Sequence, residues 1–190
     1  MTAFCSAPMQ LGLVLNCGRF TKWKHKIIAM VLHKHHIKLP IGEKFKKLWK
    51  YYIWQSCLAA VALFIIVLIL GKDKMVVISA MGATAFIVFA MPTAVSAQTR
   101  NVVGGHFVGL VTGTIFYFVT LPYFIEYPLV VGIAIFVMVA LDVEHPPAAG
   151  TALAVVINEV SLDVSITIMI AAVVLSQCRF YLRRLLKDLI

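Results

Sequence analysis

Tyr51–Gly71, YYIWQSCLAAVALFIIVLILG, contains no ionised side chain, and its reading decides the fold. At 1.5 Å of rise per residue it reaches about 30 Å, the thickness of a bilayer's hydrocarbon core. It begins on Tyr51, Tyr52 and Trp54, aromatic anchors suited to a headgroup boundary, and stops at Lys72-Asp73-Lys74. Downstream, apolar runs recur between short polar breaks: Met75–Met91, Val102–Leu121, Tyr123–Leu141, Pro146–Asn158 and Val164–Leu182. Met75–Met91 has Gly82 in its middle and ends at Pro92, and Glu126 and Pro128 are expected to interrupt the fourth run early. Pro146–Asn158 is too short to span at helical rise. The pattern predicts an all-α membrane protein with four to six transmembrane helices.

Composition agrees. Of 190 residues, 62% are apolar and 13% charged, against about 45–50% and about 25% in soluble domains. A small domain has too much surface to hide that much hydrocarbon from water. This excludes a cytosolic enzyme, a secreted domain and a disordered chain.

Charge divides the chain in two. Residues 1–50 hold ten Lys and Arg against one acid, Glu43, and the remainder holds seven against seven. The net charge of +9 therefore belongs to the amino-terminal arm. From Thr21 to Leu39 the arm sets Trp23 and Ile27 among Lys and His at helical spacing. Such a segment lies along a leaflet surface, where anionic lipid attracts each cation by about 1 kcal/mol. A positive-inside anchor needs no nucleic acid to explain it. The apolar patch of residues 1–18 precedes the charges, the wrong order for a secretory signal. Three parts are expected: arm 1–50, membrane body 51–182 and basic tail 183–190. Both ends are basic, so both are expected in the cytoplasm, with an even number of crossings of the plasma (inner) membrane.

The four cysteines show no metal-ligand spacing and no disulfide framework. His33, His35 and His36 lack a fourth ligand and any carboxylate, so no metal and no cofactor is expected. A shift of 67 residues lays Ala83-Thr84-Ala85-Phe86-Ile87-Val88 over Gly150-Thr151-Ala152-Leu153-Ala154-Val155 and overlays the first three segments on the last three. This points to two three-segment repeats, with chance similarity among small packing residues as the alternative. In both halves the middle segment is the short one broken by Gly and Pro, the sequence pointer to a binding site near the midplane.

Polar residues inside such a body are expensive unless paired or facing water. Three clusters stand out: Ser96–Asn101, then Gly104-Gly105-His106, then Asp142-Val143-Glu144-His145-Pro146-Pro147. Asp142 or Glu144 is expected to pair with Arg100 or His106. Pro146-Pro147 rigidifies the start of a short helix, and Ala148–Thr151 leave backbone N–H groups open at its positive end. The alternative is an ordinary proline-initiated helix with small residues for tight packing.

His145-Pro146-Pro147 followed by Ala148-Ala149-Gly150-Thr151-Ala152 resembles the signature of the HPP family of small integral membrane proteins. Met81-Gly82-Ala83-Thr84-Ala85, then Gln98-Thr99-Arg100-Asn101-Val102-Val103-Gly104-Gly105-His106, is similar to that family's second block. The resemblance covers about Leu48–Leu182. It departs from the family at Thr99, where proline is expected between Gln and Arg, and in the small-residue order of Ala148–Gly150. The resemblance implies a four-span protein and, through plastid and cyanobacterial members, nitrite transport.

The expected function is movement of a small anion, with proton coupling as an option; a channel and a scaffold or sensor without transport are the alternatives. An enzyme is not expected, because no nucleophile accompanies Asp142, Glu144 and His145. Arg100 would supply fixed positive charge; Asn101, Gln98, Thr84 and Thr151 hydrogen bonds; Gly82, Pro146, Pro147 and Gly150 the shape. His106 and His145 would carry protons, since imidazole changes charge near neutral pH. The expected partners are the bilayer, anionic lipid at the arm and the anion, with no nucleic acid. Self-association is left open.

Overall fold

The computed structural model describes residues 41–70, 74–119, 121–158 and 160–190. The arm before residue 41, with its expected interfacial helix and three histidines, lies outside the described residues. Lys46–Ile190 forms one compact unit.

Six α-helices occur among the described residues: α1 Ile41–Leu70, α2 Met75–Ala90, α3 Thr99–Tyr117, α4 Tyr123–Ala140, α5 Pro146–Asn158 and α6 Leu162–Leu182. A single 3-10 turn, Val95–Ala97, precedes α3. Gly42–Leu70 of α1, together with α4 and α6, is long and apolar enough to cross a bilayer. Outward side chains such as Phe64, Leu68, Phe136 and Ile166 are more than half exposed. Lipid is the solvent that tolerates them. The chain is an all-α membrane protein. The shorter helices α2 and α5, of 16 and 13 residues, are the middle members of the two triplets that the 67-residue shift aligns.

Two boundaries differ from the hydropathy reading. α1 begins at Ile41, before the apolar run, because Glu43–Lys50 are good helix formers with no breaker among them. At 30 residues it is about 45 Å long, so its basic first turns extend beyond the hydrocarbon. α4 runs through Glu126 and Pro128 instead of breaking there. Glu126 lies in the first turn, where the helix dipole favours an acid, and Pro128 forfeits one backbone bond near the helix start.

α3 and α5 make the closest pair. A Cβ on Gly109 would lie 2.4 Å from the Ala148 carbonyl oxygen, and one on Gly113 2.6 Å from that of Ala152. Only glycine permits this backbone-to-backbone approach, the small-residue packing that membrane helices use. One apolar cluster around Ile66, Met81, Val88, Val102, Val155, Ile168 and Leu175 joins α1, α2, α3, α5 and α6, with Leu63 of α1 packed against it. A second, around Val108, Phe116, Val130, Ala134 and Ala152, joins α3, α4 and α5.

The stretch after α6 forms a strap, with Leu186 and Leu189 buried. Gln55 of α1 donates from Nε2 to the Lys187 carbonyl at 2.8 Å and to that of Phe89, while its Oε1 accepts the Lys187 N–H at 3.3 Å. The Leu189 N–H donates to the Ala90 carbonyl at 3.0 Å, and the Thr93 hydroxyl to the Asp188 carboxylate. The strap thus caps the Ala90 carbonyl, and Gln55 that of Phe89, which the last turn of α2 leaves without helical partners.

Candidate functional site

Thr84 lies on the buried stripe of α2 formed by Val77, Ala80, Met81, Thr84 and Val88, whose spacing of three and four sets them on one face. His106 lies on α3 beside Gly105. A Cβ on Gly105 would meet His145 Cβ at 2.6 Å, so that glycine brings the two histidines together. His145 precedes Pro146, whose ring pushes it into extended backbone and aims its imidazole beneath the 3-10 turn. Thr151 is in the second turn of α5.

These side chains form one connected unit at the junction of α2, α3 and α5. Thr84 Oγ1 lies 2.9 Å from His106 Nε2 and 3.1 Å from His145 Nε2. Thr151 Oγ1 lies 2.8 Å from His106 Nδ1. His145 Nδ1 donates to the Ser96 carbonyl at 2.7 Å. The rings meet edge to face, with centroids 5.0 Å apart. All four side chains are at most 1% exposed. Thr84 and Thr151, which the 67-residue shift aligns, hold His106 from opposite sides.

A second tier lies at the rim. Arg100 donates to the Asp142 carboxylate and, at 2.7 Å, to the Asp142 carbonyl. Both side chains are largely exposed, 61% and 71%. Asp142 therefore is the acid that pairs with Arg100. Its φ of 54° is left-handed, a conformation that Asp tolerates better than most residues. Asn101 is fully buried between the tiers; its Nδ2 donates to the Glu144 carbonyl at 3.2 Å, and its Oδ1 has no partner.

The remaining site candidates are spread more widely. Gln98 is exposed and caps α3 through its backbone, accepting the Val102 N–H at 2.9 Å. Pro146 is exposed and Pro147 buried at the first turn of α5. Gly82 faces Leu63 of α1, and Gly150 faces Ala80 of α2, so both are helix-packing positions apart from the imidazoles. Among the described residues no three His, Cys, Asp or Glu side chains gather as a metal site. The Ser96 carbonyl was the one member of the unit that residue types could not announce, because every residue has a carbonyl.

The arrangement can take, hold and release protons in a space closed to solvent. It carries no fixed charge of its own.

The family model for the HPP transmembrane region matches residues 44–186. The chain belongs to the HPP family. The match covers all six helices apart from the first residues of α1, and the HPP residues His145-Pro146-Pro147 lie at the start of α5. No curated protein and no solved structure matches the chain. It is an integral membrane protein of the HPP family.

Proposed function

We propose that this HPP-family protein moves a small anion across the plasma (inner) membrane, with nitrite as the first candidate substrate. The observation that carries the reading is the closed unit of Thr84, His106, His145 and Thr151 inside an apolar helical body. Ionisable side chains at membrane depth are costly, and those that persist there serve substrate or proton paths. Arg100 receives the anion at the rim, where its planar fork suits an oxyanion. His145 and His106 manage the accompanying proton. Moving a lone anion against a negative-inside potential costs about 2.3 kcal/mol per 100 mV, and a co-transported proton cancels that cost. Gln55, in the second turn of the apolar run that begins at Tyr51 in α1, bonds to Lys187 beyond α6, which supports a common side for both basic ends. The positive-inside rule makes that side cytoplasmic.

The test is uptake of nitrite, nitrate and formate by the full chain in proteoliposomes, with internal pH recorded. Saturable uptake of nitrite accompanied by internal acidification is expected. Arg100→Lys keeps the charge and loses the fork, so uptake persists with weaker affinity; Arg100→Gln nearly abolishes it. No uptake of any of the three anions, or unchanged half-saturation in both variants, overturns the reading.

A further inference from the structure

The hydrogen bonds of the buried unit have a direction, and one backbone atom sets it. A carbonyl oxygen can only accept, so His145 Nδ1, 2.7 Å from the Ser96 carbonyl, carries a hydrogen. In the neutral ring Nε2 is then bare and needs a donor. The Thr84 hydroxyl, 3.1 Å away, supplies it. A hydroxyl has a single hydrogen, so it cannot also serve His106 Nε2 at 2.9 Å. His106 Nε2 must therefore bring its own hydrogen, which leaves His106 Nδ1 bare to accept from the Thr151 hydroxyl at 2.8 Å. Any other order leaves a buried donor or acceptor unmatched, at a cost of about 1–3 kcal/mol.

Thr84 has a second acceptor in reach. Its Oγ1 lies 3.0 Å from the Ala80 carbonyl one turn back. If His145 gains a proton on Nε2, that N–H donates to Thr84 Oγ1, the oxygen accepts from both rings, and the hydroxyl hydrogen turns to Ala80. Every group remains satisfied and only a hydrogen rotates. His106 has no equivalent provision, because among the described residues no other acceptor is bonded to the Thr151 hydroxyl. The surrounding charges do not decide the matter: α2 and α5 carry no ionisable side chain, while Arg100, Asp142 and Glu144 are exposed at the rim, and His106 is the one titratable group against the His145 ring.

We propose that the two histidines are held as opposite tautomers, His145 protonated on Nδ1 and His106 on Nε2, and that the Thr84 hydroxyl is the rotor through which His145 takes a second proton. As a step in transport this rests on the reading above, whereas the proton order itself is a property of the resting protein.

The experiment is solid-state nitrogen NMR of the full chain in lipid bilayers, without substrate. His145 precedes a proline and His106 a phenylalanine, so paired labelling of His with Pro or Phe separates the two rings from the other four. The expected spectra show the bare nitrogen as Nε2 in His145 and Nδ1 in His106. On acidification His145 gains its second N–H first. Thr84→Val shifts the His145 Nε2 signal and removes that precedence, and Thr84→Ser restores both. The same tautomer in both rings, a bare Nδ1 in His145, or His106 protonating first overturns the proposal. If Thr84→Val does not fold, the wild-type tautomers and Thr84→Ser decide alone. Ordered tautomers in a protein that moves no anion refute transport and leave the rotor standing; uptake by a protein whose rings share one tautomer refutes the rotor and leaves transport standing.

Discussion

Arg100 and His106 lie on the same helix less than two turns apart, yet their surroundings are opposite. Arg100 is 61% exposed and paired with a carboxylate, while His106 is fully buried between two hydroxyls. At the rim, water solvates both members of an ion pair, so charge is cheap there. In the centre each ion would cost several kcal/mol to bury, and only neutral groups with matched hydrogen bonds remain. The difference teaches that fixed charge is kept at one depth and hydrogen-bonded neutral groups at the other, so that on the proposed reading an anion would be met at the rim and neutralised before the centre. It also explains why the centre is built from imidazole and hydroxyl, which exchange hydrogens without keeping a charge.

The comparison breaks most visibly at the centre. His106→Leu removes one partner of the Thr84 hydroxyl and the ring partner of Thr151, so uptake normalised to folded protein should fall to background. The rim should still bind the anion, seen as protection against thermal unfolding; uptake near wild type would show that the centre is only packing. A smaller effect follows from separating α3 and α5. Gly109→Ala pushes a Cβ to 2.4 Å from the Ala148 carbonyl and should destabilise the fold by about 1–3 kcal/mol. Gly132→Ala on α4 meets nothing within 4 Å and should stabilise, by up to about 1 kcal/mol. Thermal unfolding of both variants tests this; equal midpoints would mean that the close approach is unimportant. The smallest change belongs to the rim. Asp142→Asn removes an exposed ion pair worth about 0–1 kcal/mol, so stability should hardly move. Arg100, freed from its carboxylate, should bind nitrite severalfold more tightly at low salt, with the gain fading as salt rises. Weaker binding in Asp142→Asn would make the pair a scaffold and not a competitor for the anion.

Hydropathy alone located all six helices, because lipid demands apolar length and six runs supply it. Their ends were less legible. Hydropathy registers preference for lipid, whereas Glu43–Lys50 are helical for reasons of backbone and side-chain entropy, so α1 starts earlier than its apolar run. Thr84 and Thr151, which one shift aligns, both reach His106 with their hydroxyls, a juxtaposition that the alignment by itself did not imply. Two features stayed hidden. The Ser96 carbonyl depends on where the 3-10 turn places a backbone atom. Leu186 and Leu189 are scattered among Arg and Lys, and only the fold shows that Gln55 waits to receive that stretch.

The strap also fixes an order of events during synthesis. Lys187 and Leu189 are translated after all six described helices, yet they complete contacts with Gln55 in α1 and Ala90 in α2. While the ribosome is still producing α3 to α6, the Ala90 carbonyl lacks its strap partner and Gln55 lacks Lys187. α1 and α2 can enter the bilayer early, but these contacts on them form only when residues 187–189 emerge and fold back. A chain released before residue 187 would thus carry a specific defect, an Ala90 carbonyl without its strap donor and a Gln55 amide without Lys187.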